Sequence, residues 1–358
     1  MLLSCNADAT AGLFRQISES KAPVGIVYKQ IVGIDSPSSS SKVLYFLTDE
    51  GLYKKDGTGS SRLVANEEGN IIQSAYLDTT AAKVVFQTND GTKKMYSYDL
   101  TTGTLDSAAI ADFSTYDVVR LLPNGLVLTK NNSNVFELHN YLGTTDIVID
   151  TLSGYDVDAV LQLSGKEHIA VSVSEPILIS LTDGSNYKHF YYDGATVTEL
   201  NSSTSGFRFA SMGGIYDLYN TNMYVYLLTD DGKLYAANTP NPISTTTFNL
   251  MHDTNESYDK HAFMYATSDG TTTRLITKPE GINEPLYVIS FPDTTVTDTA
   301  SVTYSTIREG YGVYLDAAEI VDSYEKSANV LLVATLENGM YEINIAGDDS
   351  SDSEEYTL

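Results

Sequence analysis

Short apolar runs alternate with polar turns from one end of the chain to the other. In the segment from Thr48 to Tyr53, an apolar run ends in a threonine, a polar turn follows, and a second run carries an aromatic residue. Repeats of about 40 to 50 residues built from short strands are typical of propeller blades. The pattern predicts an all-β fold, a seven-bladed β-propeller of four-stranded antiparallel blades. The threonines that mark the repeat, which we call the anchor threonines, are Thr48, Thr88, Thr129, Thr182, Thr229, Thr277 and Thr335.

Each repeat is interpreted as four strands, A to D, with the anchor threonine at the end of strand B and an aromatic residue in strand C. Valine, isoleucine, tyrosine and threonine dominate the runs, and glycine, aspartate, asparagine and serine separate them. We expect the aromatic rings to pack between neighbouring sheets. The alternative is an exposed aromatic ladder that binds sugars. The strand C aromatics are Tyr53, Tyr96, Phe136, Phe190, Tyr235, Tyr287 and Tyr341.

The repeat divides the chain into an N-terminal segment (1–22), one propeller (23–346) and an acidic tail (347–358). The last blade has no evident strand D, because the tail is rich in Asp, Glu, Ser and Gly. Either residues 12–17 or residues 356–358 are predicted to supply it and close the ring. The repeat is enlarged at 156–173 and at 293–321, and such inserts are predicted to be loops with specialised contacts.

The charge balance excludes several partners. The formal net charge is −26, with 47 acidic and 21 basic residues. Contacts with nucleic acid need clustered Lys and Arg, so no nucleic-acid partner is predicted. An anionic lipid surface would also repel the chain. No apolar stretch reaches the roughly 18 residues of a spanning helix.

The one cysteine stands in Leu2-Leu3-Ser4-Cys5, which resembles a bacterial lipobox. The resemblance implies cleavage before Cys5 and lipidation of its thiol, so that the membrane is reached only through this lipid anchor. The alternative is a buried or incidental free thiol, and the charged and apolar regions of a signal peptide do not precede the motif here.

Together, the lipobox-like start and the strand repeats resemble bacterial β-propeller lipoproteins, spirochaete examples included, with NHL-like or WD40-like repeats. The chain departs from the WD40 pattern, because the Gly-His and Trp-Asp marks are absent and there is no tryptophan. The resemblance implies a cell-envelope location, periplasmic or surface-exposed, and a protein-binding role. It implies no active-site residues.

Acidic residues cluster in the turns between strands B and C. A circle of these carboxylates around one mouth of the central channel would attract cations, Ca²⁺ among them, or a basic partner. The alternative is that Asp-Gly and Asn-Gly turns simply need positive φ. The metal candidates are Asp49, Asp90 and Asp231.

Four residues are candidates for contact with a partner. His189 stands in a run of aromatic residues that could line a pocket, and the alternative is an exposed strand residue between buried rings. Tyr191 belongs to the same run, and the enlarged segment 293–321 contributes the other two tyrosines. The candidates are His189, Tyr191, Tyr304 and Tyr311.

No Gly-x-Ser-x-Gly turn, Cys–His pair or phosphate loop is found in the sequence, so no catalytic residue and no cofactor is assigned. The leading hypothesis is a non-catalytic, lipid-anchored scaffold that presents a propeller face to a protein, peptide or glycan. The alternative is a propeller hydrolase or lyase with a carboxylate or Ca²⁺-assisted site at the channel mouth. A third hypothesis is packing into an oligomeric coat.

Overall fold

The computed structural model consists of β-strands and turns. It describes residues 26–38, 41–56, 59–106, 108–143, 147–164, 176–201, 206–217, 222–237, 247–253, 261–268, 271–279, 286–292, 303–307, 320–327, 330–336, 339–344 and 353–355. Within these ranges no residue lies in a helix, so none belongs to a helix that could cross a membrane. The all-β prediction is confirmed.

The strands form antiparallel meanders of four, each with strands A to D in sequence order. The first strand of the next meander follows directly after strand D. The meanders of the N-terminal half are β1 (Tyr28–Ser38), β2 (Ser41–Thr48), β3 (Gly51–Asp56), β4 (Gly59–Ala65); β5 (Ile72–Asp78), β6 (Lys83–Thr88), β7 (Lys94–Asp99), β8 (Thr104–Leu105), with β9 (Ala111–Asp112) also on β7; and β10 (Val118–Leu121), β11 (Leu126–Lys130), β12 (Val135–Asn140), β13 (Ile147–Thr151).

In the C-terminal half, two meanders join into one eight-stranded sheet through parallel pairing of their A strands, β14 and β18. The strands are β14 (Asp156–Ser164), β15 (Ile177–Thr182), β16 (Tyr187–Tyr192), β17 (Val197–Glu199); β18 (Phe209–Asp217), β19 (Asn222–Thr229), β20 (Lys233–Ala237), β21 (Phe248–Asp253); β22 (His261–Ser268), β23 (Thr272–Pro279), β24 (Leu286–Pro292), β25 (Thr303–Ile307); and β26 (Ile320–Ser327), β27 (Val330–Thr335), β28 (Met340–Asn344), β29 (Ser353–Glu355).

The core lies between the sheets, because both faces of a strand are buried. On β19, Val225 and Leu227 pack against the β14–β17 meander, whereas Tyr226 and Leu228 pack against β22–β25. Side chains alternate between the two faces of a strand, so burial of both faces requires the uninterrupted apolar run seen in the sequence. Sheets stacked face to face in this way form a propeller.

The first and last meanders meet, which joins the two ends of the described chain. Leu44 and Phe46 of β2 share a core cluster with Leu332 and Met340 of the last meander. The A strands β1 and β26 are in contact, as are β1 and β5, β5 and β10, and β18 and β22. The A strands therefore surround the centre of the molecule.

Side-chain amides of Gln30 on β1 and Gln87 on β6 bind the backbone of the A strand in the next meander. The Gln30 amide donates to Ala75 O at 2.8 Å and accepts from Ala75 N at 2.9 Å. The Gln87 amide donates to Val119 O and accepts from Leu121 N, both at 2.8 Å. Each glutamine thus satisfies one buried donor and one buried acceptor across two sheets.

Several sequence-based boundaries lie outside the described residues. Residues 12–17, residues 356–358 and most of the two enlarged segments belong there, so the division into segments stays a prediction. The number of blades also stays a prediction, because two meanders share one sheet and the connections between the later meanders are not described. The acidic tail contributes the strand next to β28: Ser353–Glu355 forms β29, so the expectation of a tail without strands is wrong at these residues.

The anchor threonines lie in strand B of their meanders, as predicted. Most are fully buried, and the hydroxyl groups of four of them bind the backbone of the B–C turn. A β-branched residue suits the strand, and its hydroxyl satisfies turn groups that have no strand partner. The contacts are Thr48 Oγ1 to Glu50 N (3.1 Å), Thr182 Oγ1 to Gly184 N (3.0 Å), Thr229 Oγ1 to Lys233 N (2.7 Å) and Thr335 Oγ1 to Gly339 O (2.6 Å).

The strand C aromatics do not all occupy equivalent positions, contrary to expectation. Thr48 pairs with Gly51, but Thr277 pairs with Tyr287, so the B–C turns differ in length and residue counting fails. The residues opposite the position two before the anchor threonine are Tyr53, Tyr96, His139, His189, Tyr235, Ile289 and Tyr341. Phe136 and Phe190 lie elsewhere on strand C, although both are buried between sheets as predicted.

The anchor threonine hydroxyl is predicted to stabilise its turn. Thr229→Val keeps the shape of the side chain but leaves the Lys233 N–H without its acceptor, so we expect a loss of about 1–3 kcal/mol in the free energy of unfolding. Denaturant titration measures this free energy of unfolding. The matched control is Thr151→Val at the exposed end of β13, where a change within about 0.5 kcal/mol is expected. Equal losses in the two variants would contradict this role.

Candidate functional site

The B–C turns and the connections from strand D to the next strand A share one face of the propeller. Asp49 N donates to Val27 O at 2.9 Å, and Val27 N donates to Asp49 Oδ1 at 3.0 Å. Asn89 and Ile71 form the same pair of hydrogen bonds in the next meander. We call this side of the molecule the turn face.

Asp49 is the first of the three metal candidates, and its carboxylate takes part in the backbone pairing just described. The other two candidates accept hydrogen bonds within their own turns. Asp90 Oδ1 accepts from Thr92 N at 2.9 Å, and Asp231 Oδ1 accepts from Thr229 Oγ1 at 2.5 Å. The second oxygen of Asp231 accepts from the Lys233 ammonium.

The pKa values of Asp90 and Asp231 reflect the hydrogen bonds within their turns. Burial acts to raise the pKa of Asp90, but hydrogen bonds from Thr92 and Tyr96 outweigh it and hold the pKa below its ordinary value. Burial likewise acts to raise the pKa of Asp231, and hydrogen bonds from Lys233 and Thr229 lower it overall. The charged forms are therefore stabilised by the turns themselves.

No metal-binding cluster is formed by the part of the chain that the structure describes. There, no three His, Cys, Asp or Glu side chains are close enough together to hold an ion. Asp49, Asp90 and Asp231 lie on separate meanders. Metal binding by them stays a prediction, and their geometry favours the alternative in which acids shape the turns.

His189 is buried, so the interpretation as an exposed strand residue is wrong. Ser180 Oγ lies 2.8 Å from His189 Nδ1, and His189 Nε2 lies 2.7 Å from Phe207 O. The ring of Phe209 meets the imidazole edge-on, with centroids 4.5 Å apart. A ring held at both nitrogens serves packing between sheets, and contact with a partner would require its displacement.

The other partner candidates divide into buried and undescribed residues. Tyr191 is 3% exposed within a core cluster, and burial raises the pKa of its phenol. Tyr304 lies on β25 opposite Ile289, and its side chain is outside the described set. Tyr311 and Cys5 are also outside the described residues. Their roles stay predictions.

Sequence reasoning missed a recurrent β-bulge near the start of strand A. On β1, Tyr28 pairs with the anchor residue Thr48, and the register shifts before Gln30, which leaves Lys29 as the bulged residue. The same shift occurs before Ser74 on β5. A bulge re-aims a side chain and commonly lies beside a functional site. The bulged residues include Lys29, Gln73, Asp158, Ala210 and Val321.

On β10 no bulge occurs, and Arg120 follows the residue that pairs with anchor Thr129. Arg120 is exposed, yet the surrounding protein lowers the pKa of its guanidinium by desolvation, and the carboxylate of Asp158 opposes this only in part. Asp158 itself accepts from Arg208 Nε at 3.1 Å. Asp158 thus interacts electrostatically with both arginines and forms its ion pair with Arg208.

Asp322 occupies the junction between the first and last meanders. Its Oδ2 accepts from Ile31 N at 2.6 Å and its Oδ1 from Ser323 N at 2.8 Å. The side chain keeps some accessible surface but is surrounded by protein, and burial raises the pKa of its carboxyl to about 7, although both hydrogen bonds lower it. Desolvation outweighs the two hydrogen bonds in setting this pKa, because the enclosing sheets exclude bulk water.

No protein-family model and no curated protein match the chain. Among solved structures, it is similar to YCF48 from Cyanidioschyzon merolae, with 11% identity over 89% of this chain and 95% of that chain and a TM-score of 0.52. It is also similar to a structure from an analysis of two prolyl endopeptidases, with 10% identity over 99% of this chain and 55% of that chain and a TM-score of 0.51. The WD40 β-propeller domain of Doa1 also matches, with 10% identity over 87% of this chain and 91% of that chain and a TM-score of 0.45. The likenesses to YCF48 and to the prolyl endopeptidase structure are likenesses of fold alone.

The Asp322 carboxyl makes stability depend on pH. In the unfolded chain an aspartate has a pKa of about 3.9, so between about pH 4 and 7 the folded protein holds a proton that the unfolded chain has lost. Stability therefore falls as pH rises through this window. We expect the wild type to lose stability relative to Asp322→Asn from pH 4 to 8, measured by denaturant midpoints.

Asp183→Asn is the control for Asp322→Asn. A hydrogen bond from Asn186 lowers the pKa of Asp183, so its contribution has the opposite sign and is lost as pH falls. A difference between wild type and Asp322→Asn that stays constant with pH would contradict the placement of Asp322.

Proposed function

We propose that the chain is a non-catalytic binding scaffold of the bacterial envelope, lipid-anchored at Cys5, whose turn face receives a protein, peptide or glycan. One observation carries the binding role. Asp90 and Asp231 are occupied within their B–C turns and Asp49 binds the backbone at Val27, whereas the A strands carry exposed polar side chains on the same face. A rigid propeller that offers such groups loses little entropy on binding.

The alternative is a hydrolase or lyase with carboxylates at the channel mouth. Such a site needs titratable groups that converge on one reacting atom. Asp322 has a raised pKa, but its two oxygens accept backbone hydrogen bonds at the junction of two sheets. Asp158 is paired with Arg208. Because both carboxylates are engaged by other groups of the protein, these contacts favour the binding function over catalysis.

Arrays of synthetic peptides and glycans test the binding role. We expect the labelled protein to bind a subset of spots reproducibly, with dissociation constants near or below about 10 μM by titration in solution. The same preparation is incubated with chromogenic glycosidase, lactonase and esterase substrates. Turnover of any of them, together with empty arrays, would refute the scaffold function.

The anchor is supported by the sequence Leu2-Leu3-Ser4-Cys5, in which aliphatic and small residues precede the cysteine. A diacylglycerol thioether and a further acyl chain would give stable attachment, since one chain alone binds membranes weakly. With a net charge of −26 the protein surface is repelled by anionic lipid, so attachment to a membrane depends on such an anchor.

Metabolic labelling with an alkyne fatty acid in a bacterium that expresses the natural gene tests the anchor. We expect labelling of the wild-type protein and its complete loss in Cys5→Ser, because the thiol is the acceptor. Ser4→Ala is the matched control, since it keeps a small residue before the cysteine and should retain the label. Labelled Cys5→Ser, or an unlabelled wild type, would refute the anchor.

A further inference from the structure

Three links between neighbouring meanders share one design, in which a side-chain oxygen accepts a hydrogen bond from the backbone N–H of a strand A. Gln30 Oε1 accepts from Ala75 N at 2.9 Å, and the amide of Gln87 is used in the same way on β10. Between the last and first meanders, Asp322 Oδ2 accepts from Ile31 N at 2.6 Å. A carboxyl group gains and loses a proton, whereas an amide does not. The link to Ile31 therefore responds to pH, and the two glutamine links do not.

We call the junction between β1 and β26 the seam, because it joins the two ends of the ring. Neighbouring meanders elsewhere follow one another in the chain, so a covalent connection keeps them at high local concentration. The first and last meanders are held together by noncovalent contacts, which include the Ile31–Asp322 hydrogen bond and the buried side chains of Phe46, Leu332 and Met340. The seam is therefore the junction that can open without stretching a connection in the chain.

Among the described residues, no opposite charge balances the Asp322 carboxylate at the seam. Its Oδ1 accepts from Ser323 N at 2.8 Å, so both oxygens bind backbone N–H groups. Burial raises the pKa of the carboxyl to about 7 against these two hydrogen bonds, and no described charge shifts it further. Strands β1, β14 and β27 contact β26, and β27 has no titratable side chain. The titratable residues of the other strands are Tyr28, Lys29 and Asp35 on β1, Asp156 and Asp158 on β14, and Tyr324, Glu325 and Lys326 on β26.

Loss of the Asp322 proton makes the closed seam less stable. A carboxylate surrounded by protein costs free energy unless its lost hydration is replaced, and the two N–H groups replace only part of it. Water reaches the carboxylate when β1 and β26 separate. Because an aspartate in water has a pKa of about 3.9 and Asp322 in the closed seam one of about 7, opening releases a proton between about pH 4 and 7. A rise in pH through this window therefore favours the open seam, and a further rise changes little.

We propose that the seam is a pH-dependent latch, in which loss of the Asp322 proton lets β1 separate from β26 while the other junctions stay closed. The latch does not depend on the proposed binding role. Opening turns a closed ring into an open one and exposes the side of the first meander that carries Phe46. It differs from global unfolding, since the cores between consecutive meanders, such as the one shared by Leu178 and Val225, remain packed.

Hydrogen exchange on the full-length protein tests the latch, with mass-spectrometric fragmentation that resolves the Ile31 amide. Rates are measured from about pH 5 to 8 in 0 to about 1 M urea, and each is corrected for the intrinsic pH dependence of exchange. We expect the corrected Ile31 rate to rise up to about tenfold per pH unit until about pH 7 and then level off, because opening releases one proton. Since local opening exposes little surface, we expect low urea concentrations to leave this rate unchanged.

Asp322→Asn keeps an acceptor oxygen but cannot release a proton, so its Ile31 rate should not change with pH. Asp35→Asn is the matched control, since it removes an acid from β1 itself and should retain the pH dependence of the wild type. The Ala75 amide, which Gln30 binds, is the internal control, and its urea-independent exchange should stay constant with pH.

Any of three results would overturn the latch. They are a wild-type Ile31 rate that does not change with pH, one that rises with urea as steeply as global unfolding does, and one whose pH dependence persists in Asp322→Asn. The first two are decided on the wild type alone, so the latch remains open to refutation if Asp322→Asn does not fold.

Discussion

Burial of both faces of a sheet against its neighbours is the constraint on which this protein depends. Val225 and Tyr226 are adjacent on one strand, yet they belong to two different cores. A strand so placed has no face left for solvent, so its apolar run cannot be interrupted by functional polar residues. Chemistry is therefore confined to the edges of the sheets, which are the turns and the innermost strands.

The sequence predicted the parts of the fold that follow from local chemistry. The anchor threonines were identifiable because a β-branched hydroxyl residue at the end of a buried run satisfies both the strand and its turn. Thr48 and Thr335 do this with different turn groups. The strand C landmark was less reliable, because the length of the B–C turn varies and only the hydrogen-bonded register shows that His139 and His189 take the place of Tyr53.

The candidate site was less predictable than the fold, for a physical reason. A bulge is one extra residue in a paired strand, and no residue type marks it: Lys29, Asp158 and Ala210 all occupy one. Acidic turns were conspicuous in the sequence, but their oxygens are used locally. The exposed polar side chains of the A strands were inconspicuous, since a single lysine or arginine in a strand carries no signal of its own.

The hydrogen bond between Ile31 and Asp322 joins residues 291 positions apart. A ribosome would have to synthesise nearly the whole chain before this junction could form, and until then the side of the first sheet that carries Phe46 lacks its cover. Loops of such length close late and slowly. The apolar side of the emerging N-terminal sheet would thus remain exposed and prone to aggregation during translation, and it offers chaperones a defined binding surface.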